Sequence, residues 1–293
     1  MAITSSFIPP PLVSIGLPVY NGEGTIRQVL DSLLVQSFPD FELIISDNAS
    51  MDDTRTICLE YASRDSRIKY FRQENNIGAM PNFKYVLDIS VGRYFMWAAS
   101  DDFRSPDFLE LNVTALESRA SLSASMSPNC YESQKHDPGK YIKFSLSGSF
   151  SDRLIIFLEN AWYSHGIFYS LMRSEYIKSY KGIANQVIAS DWLLNVFMLS
   201  KGEIYRTSDG LLVLGEHGAS RSGNPWRYFR SRWYEIFFPL SSFTFYTLSF
   251  FGSVKINRFF SAMYSLVKLN FYATRSSLKH YFKEFVSIKL KSF

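Results

Sequence analysis

The chain has 293 residues, 46% of them hydrophobic and 20% charged, the balance of a soluble protein with room for one large domain, or one domain with an appendage. Its two cysteines, Cys58 and Cys130, form no CxxC pair and have no histidine at metal spacing, which excludes a disulfide framework and a zinc site and fits a reducing compartment. The net charge of +4 is uneven: residues 226–293 hold 11 Lys or Arg against Glu235 and Glu284, so this stretch carries +9 and residues 1–225 carry −5.

From the start, "MAITSSFIPPPLVSIGLPVYN" has no basic segment followed by a long apolar one, so it does not read as a signal peptide. "LVSIGLPVY" is a β-branched apolar run closed by Asn21-Gly22, a buried strand and its turn. Ile26, Val29, Leu30, Leu33 and Leu34 recur at helical spacing and stop before Pro39. "FELIISD" predicts a second strand, "DTRTICLEYASRD" a second helix and "IKYFRQ" a third strand. A helix around Asn82 to Ile89 then leads to a fourth strand, "RYFMWAAS". Strands alternating with helices imply an α/β unit with a mostly parallel sheet and right-handed crossovers.

The middle, "SMSPNCYESQKHDPGKYIKFSLSGSF", is polar and rich in turn residues, with strand-like patches and no clear period. "DRLIIFLENAW" and "DWLLNVFMLSKG" predict helices, and "GEIYRTSDGLLVLGEHGAS" two short strands and a loop. Past Pro225 the pattern turns helical, which divides the chain into a body at 1–225 and a basic, aromatic helical tail at 226–293 with 21 aromatics in 68 residues. Ile236 to Val254 carries no charge, but Pro239, Gly252 and six Ser or Thr make it a segment that touches a membrane rather than spans one. Ile256, Phe259, Phe260, Met263, Tyr264, Val267 and Phe271 form an apolar stripe near Lys255, Arg258 and Lys268. Later, Tyr281, Phe282, Phe285 and Ile288 stand among Lys279, Lys283, Lys289 and Lys291. Such faces fit an anionic membrane interface, a second subunit, or packing on the body, since a stripe reports burial and not its partner.

Ligands of open parallel sheets bind beyond the carboxyl ends of the strands. Three of those ends should lie side by side here: Pro18-Val19-Tyr20-Asn21, Asp47, and Asp101-Asp102. A tyrosine ring with three carboxylates at one rim would suit a base, a ribose hydroxyl and a metal-bound diphosphate. Each also has a local explanation. Asp47 could cap the next helix, and Asp101-Asp102 could open the helix near Pro106, although capping needs one carboxylate and not an adjacent pair. "NGEGT" lacks the third glycine of a dinucleotide loop, and no Lys-Ser or Lys-Thr follows it to make a Walker loop.

Together, "VSIGLPVYNGEGTIRQVLDSLLVQSFPDFELIISDNASMDDT", "IKYFRQENNIGAMPNF" and "GRYFMWAASDD" strongly resemble the family 2 inverting glycosyltransferases of GT-A fold. The likeness is close over residues 12–113 and looser to about 222. It implies a Rossmann-like GT-A fold with a mostly parallel central sheet, followed here by the C-terminal helical tail. It also implies a nucleotide-sugar donor whose base and ribose meet Pro18, Val19, Tyr20, Asp47, Asn82 and Ser100. Asp101 matches the last acid of the DxD motif, the ligand of Mn²⁺ or Mg²⁺, with Asp102 and His217 of "GEHGAS" as further metal candidates. The first acid of that motif falls on Ala99. "VIASDWLLNVF" looks like the segment of the catalytic base, which places Asp191 as the base with Ser190 where another acid usually stands. From the residues alone Asp191 reads as an N-cap for the helix that follows. "HGIFYSLMR" resembles the acceptor side, which makes His165, Tyr169 and Arg173 acceptor candidates.

The resemblance thus implies a metal-dependent transferase of cell-surface polysaccharide assembly with a saccharide or lipid-linked acceptor. It would be cytoplasmic and peripheral on the inner face of the membrane. The missing acids at Ala99 and Ser190 keep a catalytically impaired nucleotide-sugar binder open as an alternative. No nucleic-acid reader motif accompanies the basic tail, and the acidic body opposes such a partner.

Overall fold

The computed structural model describes residues 9–183, 187–216 and 225–291. Val13–Val19 form β1, Ile26–Leu34 α1, Phe41–Asp47 β2, Thr54–Arg64 α2, Ile68–Arg72 β3, Ala79–Ile89 α3 and Tyr94–Trp97 β4. These are the alternating elements that the periodicity predicts. Next come Phe103–Arg104 as β5, Phe108–Ser118 as α4, Leu122–Met126 as β6 and Asn129–Tyr131 as β7. Phe150–Asn160 is α5, Leu171–Arg173 β8, Ser174–Ser179 α6, Ser190–Lys201 α7, Glu203–Arg206 β9 and Leu212–Leu214 β10. Pro225–Tyr228 is α8, Ser241–Ser249 α9 and Phe259–Lys291 α10.

Seven strands in the order β3-β2-β1-β4-β8-β6-β9 make the central sheet, and β5-β10-β7 make a smaller one. The first four strands run parallel, as do β6 and β9, while β8 is antiparallel to both its neighbours. β1 and β2 are buried at every position, as strands covered on both faces must be. Alternation along β4 feeds both layers: Tyr94 and Met96 join the core under α1, α2 and α4, while Phe95 and Trp97 join the core under α3, α5 and α7. Close packing explains Gly16 in β1, where a Cβ would fall 2.6 Å from a Val86 methyl on α3.

The helices after Pro225 pack on the α5 and α7 side. Leu240, Phe243, Ala262, Leu266, Leu269 and Ala273 share one core with Phe157 of α5 and Trp192 of α7. The Lys255 N–H donates to Ser151 Oγ at 2.8 Å, and Arg258 pairs with Asp152 at 3.1 Å, which seats the start of α10 on α5. The expected stripe divides. Phe259 and Met263 lean on the core, whereas Ile256, Phe260, Tyr264, Val267 and Phe271 face outward. Burial goes to the face with the smaller residues, because Ala262 and Ala273 let the helix axes approach. The uncharged stretch from Ile236 to Val254 breaks into α9 and short 3₁₀ turns, and no helix among the described residues is long and apolar enough to cross a membrane.

Candidate active site

β1 and β2 end in register, Val19 opposite Asp47, so Tyr20 leaves the sheet beside that carboxylate. Tyr20 is 45% exposed, an open aromatic face at the rim. The Pro18 and Val19 side chains are buried, and the Val19 carbonyl accepts the Asn48 N–H at 2.8 Å. Asp47 is fully buried and fully bonded. Its Oδ1 accepts the Ser50 N–H at 2.8 Å, and its Oδ2 accepts from Tyr70 Oη at 2.7 Å and Arg72 at 2.5 Å. Burial opposes its charge, but the hydrogen bonds from Ser50, Tyr70 and Arg72 outweigh that and hold its pKa below the ordinary value.

β4 delivers the second cluster. Thr25 Oγ1 donates to the Ser100 carbonyl at 2.6 Å, which fastens the turn after β1 to the turn after β4. Asp101 is partly exposed at this rim and lies against the backbone of Gly215 at the exit of β10. Asp102 points inward. Its Oδ1 accepts the Gly215 N–H at 3.0 Å, and its buried Oδ2 has no hydrogen-bond partner. Burial pushes its pKa up to about 7 against the pull of the Arg104 guanidinium and the Gly215 N–H, with the Asp101 charge adding to the rise. Arg104 is itself buried and donates to the Trp97 carbonyl at 2.8 Å. Arg104 Nε and Nη1, like Asp102 Oδ2, have no hydrogen-bond partner.

Asp191 sits in the first turn of α7, across from this rim. Its carboxylate is 3.8 Å from His165 Nδ1 on the 3₁₀ segment His165–Tyr169. Tyr169 links the two sides. Burial and the negative charges of Asp102, Asp101 and Asp191 raise its pKa well above the ordinary value, so the phenol keeps its proton. None of the site acids serves as a helix cap. The N-cap residues are Asp53 for α2, Asp107 for α4 and Ala189 for α7, and no side-chain cap bond forms at any of them. These acids are therefore not N-caps, although Asp47 still closes the local turn to Ser50, Asp101-Asp102 stand in a turn and Asp191 stands in the first turn of α7.

Several expectations are corrected. Asp102 is no rim ligand, because its carboxylate is buried against Gly215 and Arg104. Asn82 is buried with its amide committed to Ser46: Ser46 Oγ donates to its Oδ1 at 2.6 Å, and its Nδ2 donates to the Ser46 carbonyl at 2.9 Å. It supports β2 and does not face the cleft. Arg173 pairs with Tyr94 at the opposite end of the sheet and donates to the carbonyls of Leu122, Leu116 and Arg119, a structural arginine and not an acceptor contact. His217 lies outside the described residues.

Sequence reasoning missed Arg72 and Tyr70, although β3 ending in "YFR" beside β2 was the signal available. It also missed a backbone signature. The only non-glycine residues with positive φ among those described are Asn21, Ala49 and Ala189, which follow Tyr20, follow Asp47 and precede Asp191. Strained backbone of this kind gathers at functional sites.

Residues 14–180 match the family model described as glycosyl transferase family 2. The chain belongs to glycosyl transferase family 2. An uncharacterised glycosyltransferase of Rickettsia typhi is 38% identical over 106 residues, 36% of this chain and 32% of its own length. The putative teichuronic acid biosynthesis glycosyltransferase TuaG of Bacillus subtilis is 37% identical over 110 residues, 38% of this chain and 44% of its own. The match thus spans under half the length of these curated relatives. Among solved structures, S. aureus TarS 1–349 superposes with a TM-score of 0.59 at 18% identity, covering 92% of this chain and 88% of that one. Mannosyltransferase PcManGT from Pyrobaculum calidifontis, in complex with GDP-Man and Mn²⁺, gives 0.61 at 16% identity over 93% and 74%. The fold of this family 2 chain is GT-A, with an α/β core, a largely parallel sheet and a long C-terminal helix.

Proposed function

We propose that the chain transfers a sugar from a nucleoside diphosphate sugar to a hydroxyl of a saccharide or lipid-linked acceptor, with inversion, in cell-surface polysaccharide biosynthesis. The observation that supports this reading is that Asp101 and Asp191 both lie near enough to Tyr169 to raise its pKa, which favours one acid on the donor side and one on the acceptor side of a shared cleft. Tyr20 offers a face to the base. The Asp47, Tyr70 and Arg72 cluster shapes the pocket beside it. A relative named for teichuronic acid biosynthesis, and a fold neighbour solved with UDP-GlcNAc, support the pathway class and the donor class.

Among the described residues no three His, Cys, Asp or Glu side chains form a ready cage for a metal. Asp101, a partly exposed hard oxygen donor, would be the residue to hold a Mn²⁺ or Mg²⁺ ion together with the donor. Such an ion supplies charge that stabilises the departing diphosphate. Asp191 takes the proton of the acceptor hydroxyl. The new C–O bond then forms on the face of the anomeric carbon opposite the bond that breaks, and that electron pair leaves with the nucleoside diphosphate. In this reading the reaction is cytoplasmic, on the inner face of the membrane.

A panel of nucleotide sugars, assayed for Mn²⁺-dependent thermal stabilisation and then for transfer, tests it. Absence of any metal-dependent stabilisation across the panel would sink the donor assignment. Ala99 and Ser190, in the places of two acids, favour a second reading as a nucleotide-sugar binder with impaired catalysis. Donor stabilisation without hydrolysis or transfer in Mn²⁺ would support that one.

A further inference from the structure

α10 is apolar on two opposite faces. The inner one, with Ala262, Leu266, Leu269 and Ala273, is buried against the body. On the outer one, Phe260, Tyr264, Val267, Phe271, Phe282 and Phe285 recur at helical spacing, and each is more than half exposed. At about 1.5 Å per residue this stripe runs roughly 38 Å along the surface. One flank is extended by neighbours. Thr244 Oγ1 donates to Asn270 Oδ1 at 3.0 Å, Thr274 Oγ1 to the Phe237 carbonyl at 3.0 Å and Ser277 Oγ to the Ile236 carbonyl at 2.9 Å. These bonds bring α9 and the turn at 236–238 alongside, and they add exposed Phe237, Phe238 and Phe245. The other flank is cationic, with Lys268, Arg275, Lys279 and Lys283 all exposed. Glu284 is the only acid among the described side chains of α10, and it is engaged by Arg227.

We propose that this face docks on an anionic lipid bilayer, with the aromatic stripe at the level of the acyl boundary and the four cations among the headgroups. Charge decides between occupants. A second copy of the chain would bring a cationic flank with no free acid to answer the first, whereas anionic headgroups neutralise it. The proposal specifies the surface behind the inner-face location given above. It uses no residue of the transfer site, so its failure would leave that reading standing.

The test is co-sedimentation of the full chain with phosphatidylcholine vesicles, with and without a phosphatidylglycerol fraction, at low and high salt. The full chain is expected to bind the anionic vesicles at least about tenfold more tightly than the neutral ones, and to release in high salt. Phe260→Ser with Phe271→Ser and Phe282→Ser should abolish binding while leaving the thermal midpoint unchanged, since all three side chains face outward. Lys268→Gln with Lys279→Gln and Lys283→Gln should remove the preference for anionic lipid. Binding by the serine variant equal to wild type, or no binding to anionic vesicles at low salt, overturns the proposal. So does a dimer in sedimentation analysis that the serine variant dissolves while vesicles are ignored, because the occupant is then a second copy.

Discussion

Gly215 packs so closely on Asp101 that a Cβ on it would fall 2.2 Å from the Asp101 carboxylate oxygen Oδ2. The exit of β10 is in this way the back wall of Asp101. Gly215→Ala must therefore push Asp101 off its position or open the turn. Overpacking of this kind costs about 1–3 kcal/mol. Donor affinity in Mn²⁺ is expected to fall at least tenfold, read by titration calorimetry. An alanine variant with wild-type affinity would show that the Asp101 position is not set by this contact.

Asp101→Asn keeps the shape of the side chain and removes its charge. Metal-dependent donor binding should be lost while the thermal midpoint of the free protein changes little, because the residue is at the rim. Unchanged donor affinity with unchanged Mn²⁺ dependence would remove Asp101 from the site.

Asp191→Asn should lower kcat by about 10²–10⁴ with little change in donor affinity, the signature of a lost general base. Since Asp191 makes no cap bond and stands only as an acid in the first turn of α7, stability should fall by no more than about 0.3–1 kcal/mol. The opposite pattern, near-normal turnover with a lower midpoint, would make the residue structural.

The Asp47 cluster gives the pH dependence its sign. The folded-state pKa lies below the unfolded value of about 3.9, so the carboxylate contributes stability that is present above that pH and lost as pH falls through the folded value. Tyr70→Phe with Arg72→Met strips both donors from Oδ2 and leaves burial to dominate. Stability at neutral pH should drop by roughly 1–3 kcal/mol. Acid unfolding should begin at a higher pH, measured as urea midpoints across a pH series. An unaltered acid limb would mean that these bonds do not hold the charge.

The first four strands were legible because each is a short run rich in β-branched or aromatic residues and bounded by turn residues. Their shared ends pointed to Tyr20, Asp47 and Asp101 as candidates, and the register of β1 with β2 sets Val19 opposite Asp47. Three features escaped for physical reasons. β8 is three residues long, too short for any period to register, and it reverses direction inside the parallel sheet. Asp102 and Asp101 are adjacent in a turn, where no alternation says which one faces the cleft. In α10 the large outward side chains made the apolar stripe, while burial went to the opposite face with Ala262, Leu266, Leu269 and Ala273. Arg72 was readable only after the register of β2 and β3 was known, since that register sets it beside Asp47.

The order of strands also fixes a vulnerability during translation. One edge of β4 can dock on β1 once residue 97 has emerged, but its other edge waits for β8, whose Arg173 meets Tyr94 across 79 residues. At about 5–20 residues per second the wait lasts roughly 4–15 s. Through that interval the nascent chain shows a strand edge, Tyr94–Trp97, whose residues all end up buried. Ribosome-bound chains stalled before residue 171 should be trapped by other strands or by holdase chaperones more readily than chains stalled well beyond it. The antiparallel strand that joins β4 to β6 thus also closes the period of risk for the edge of β4.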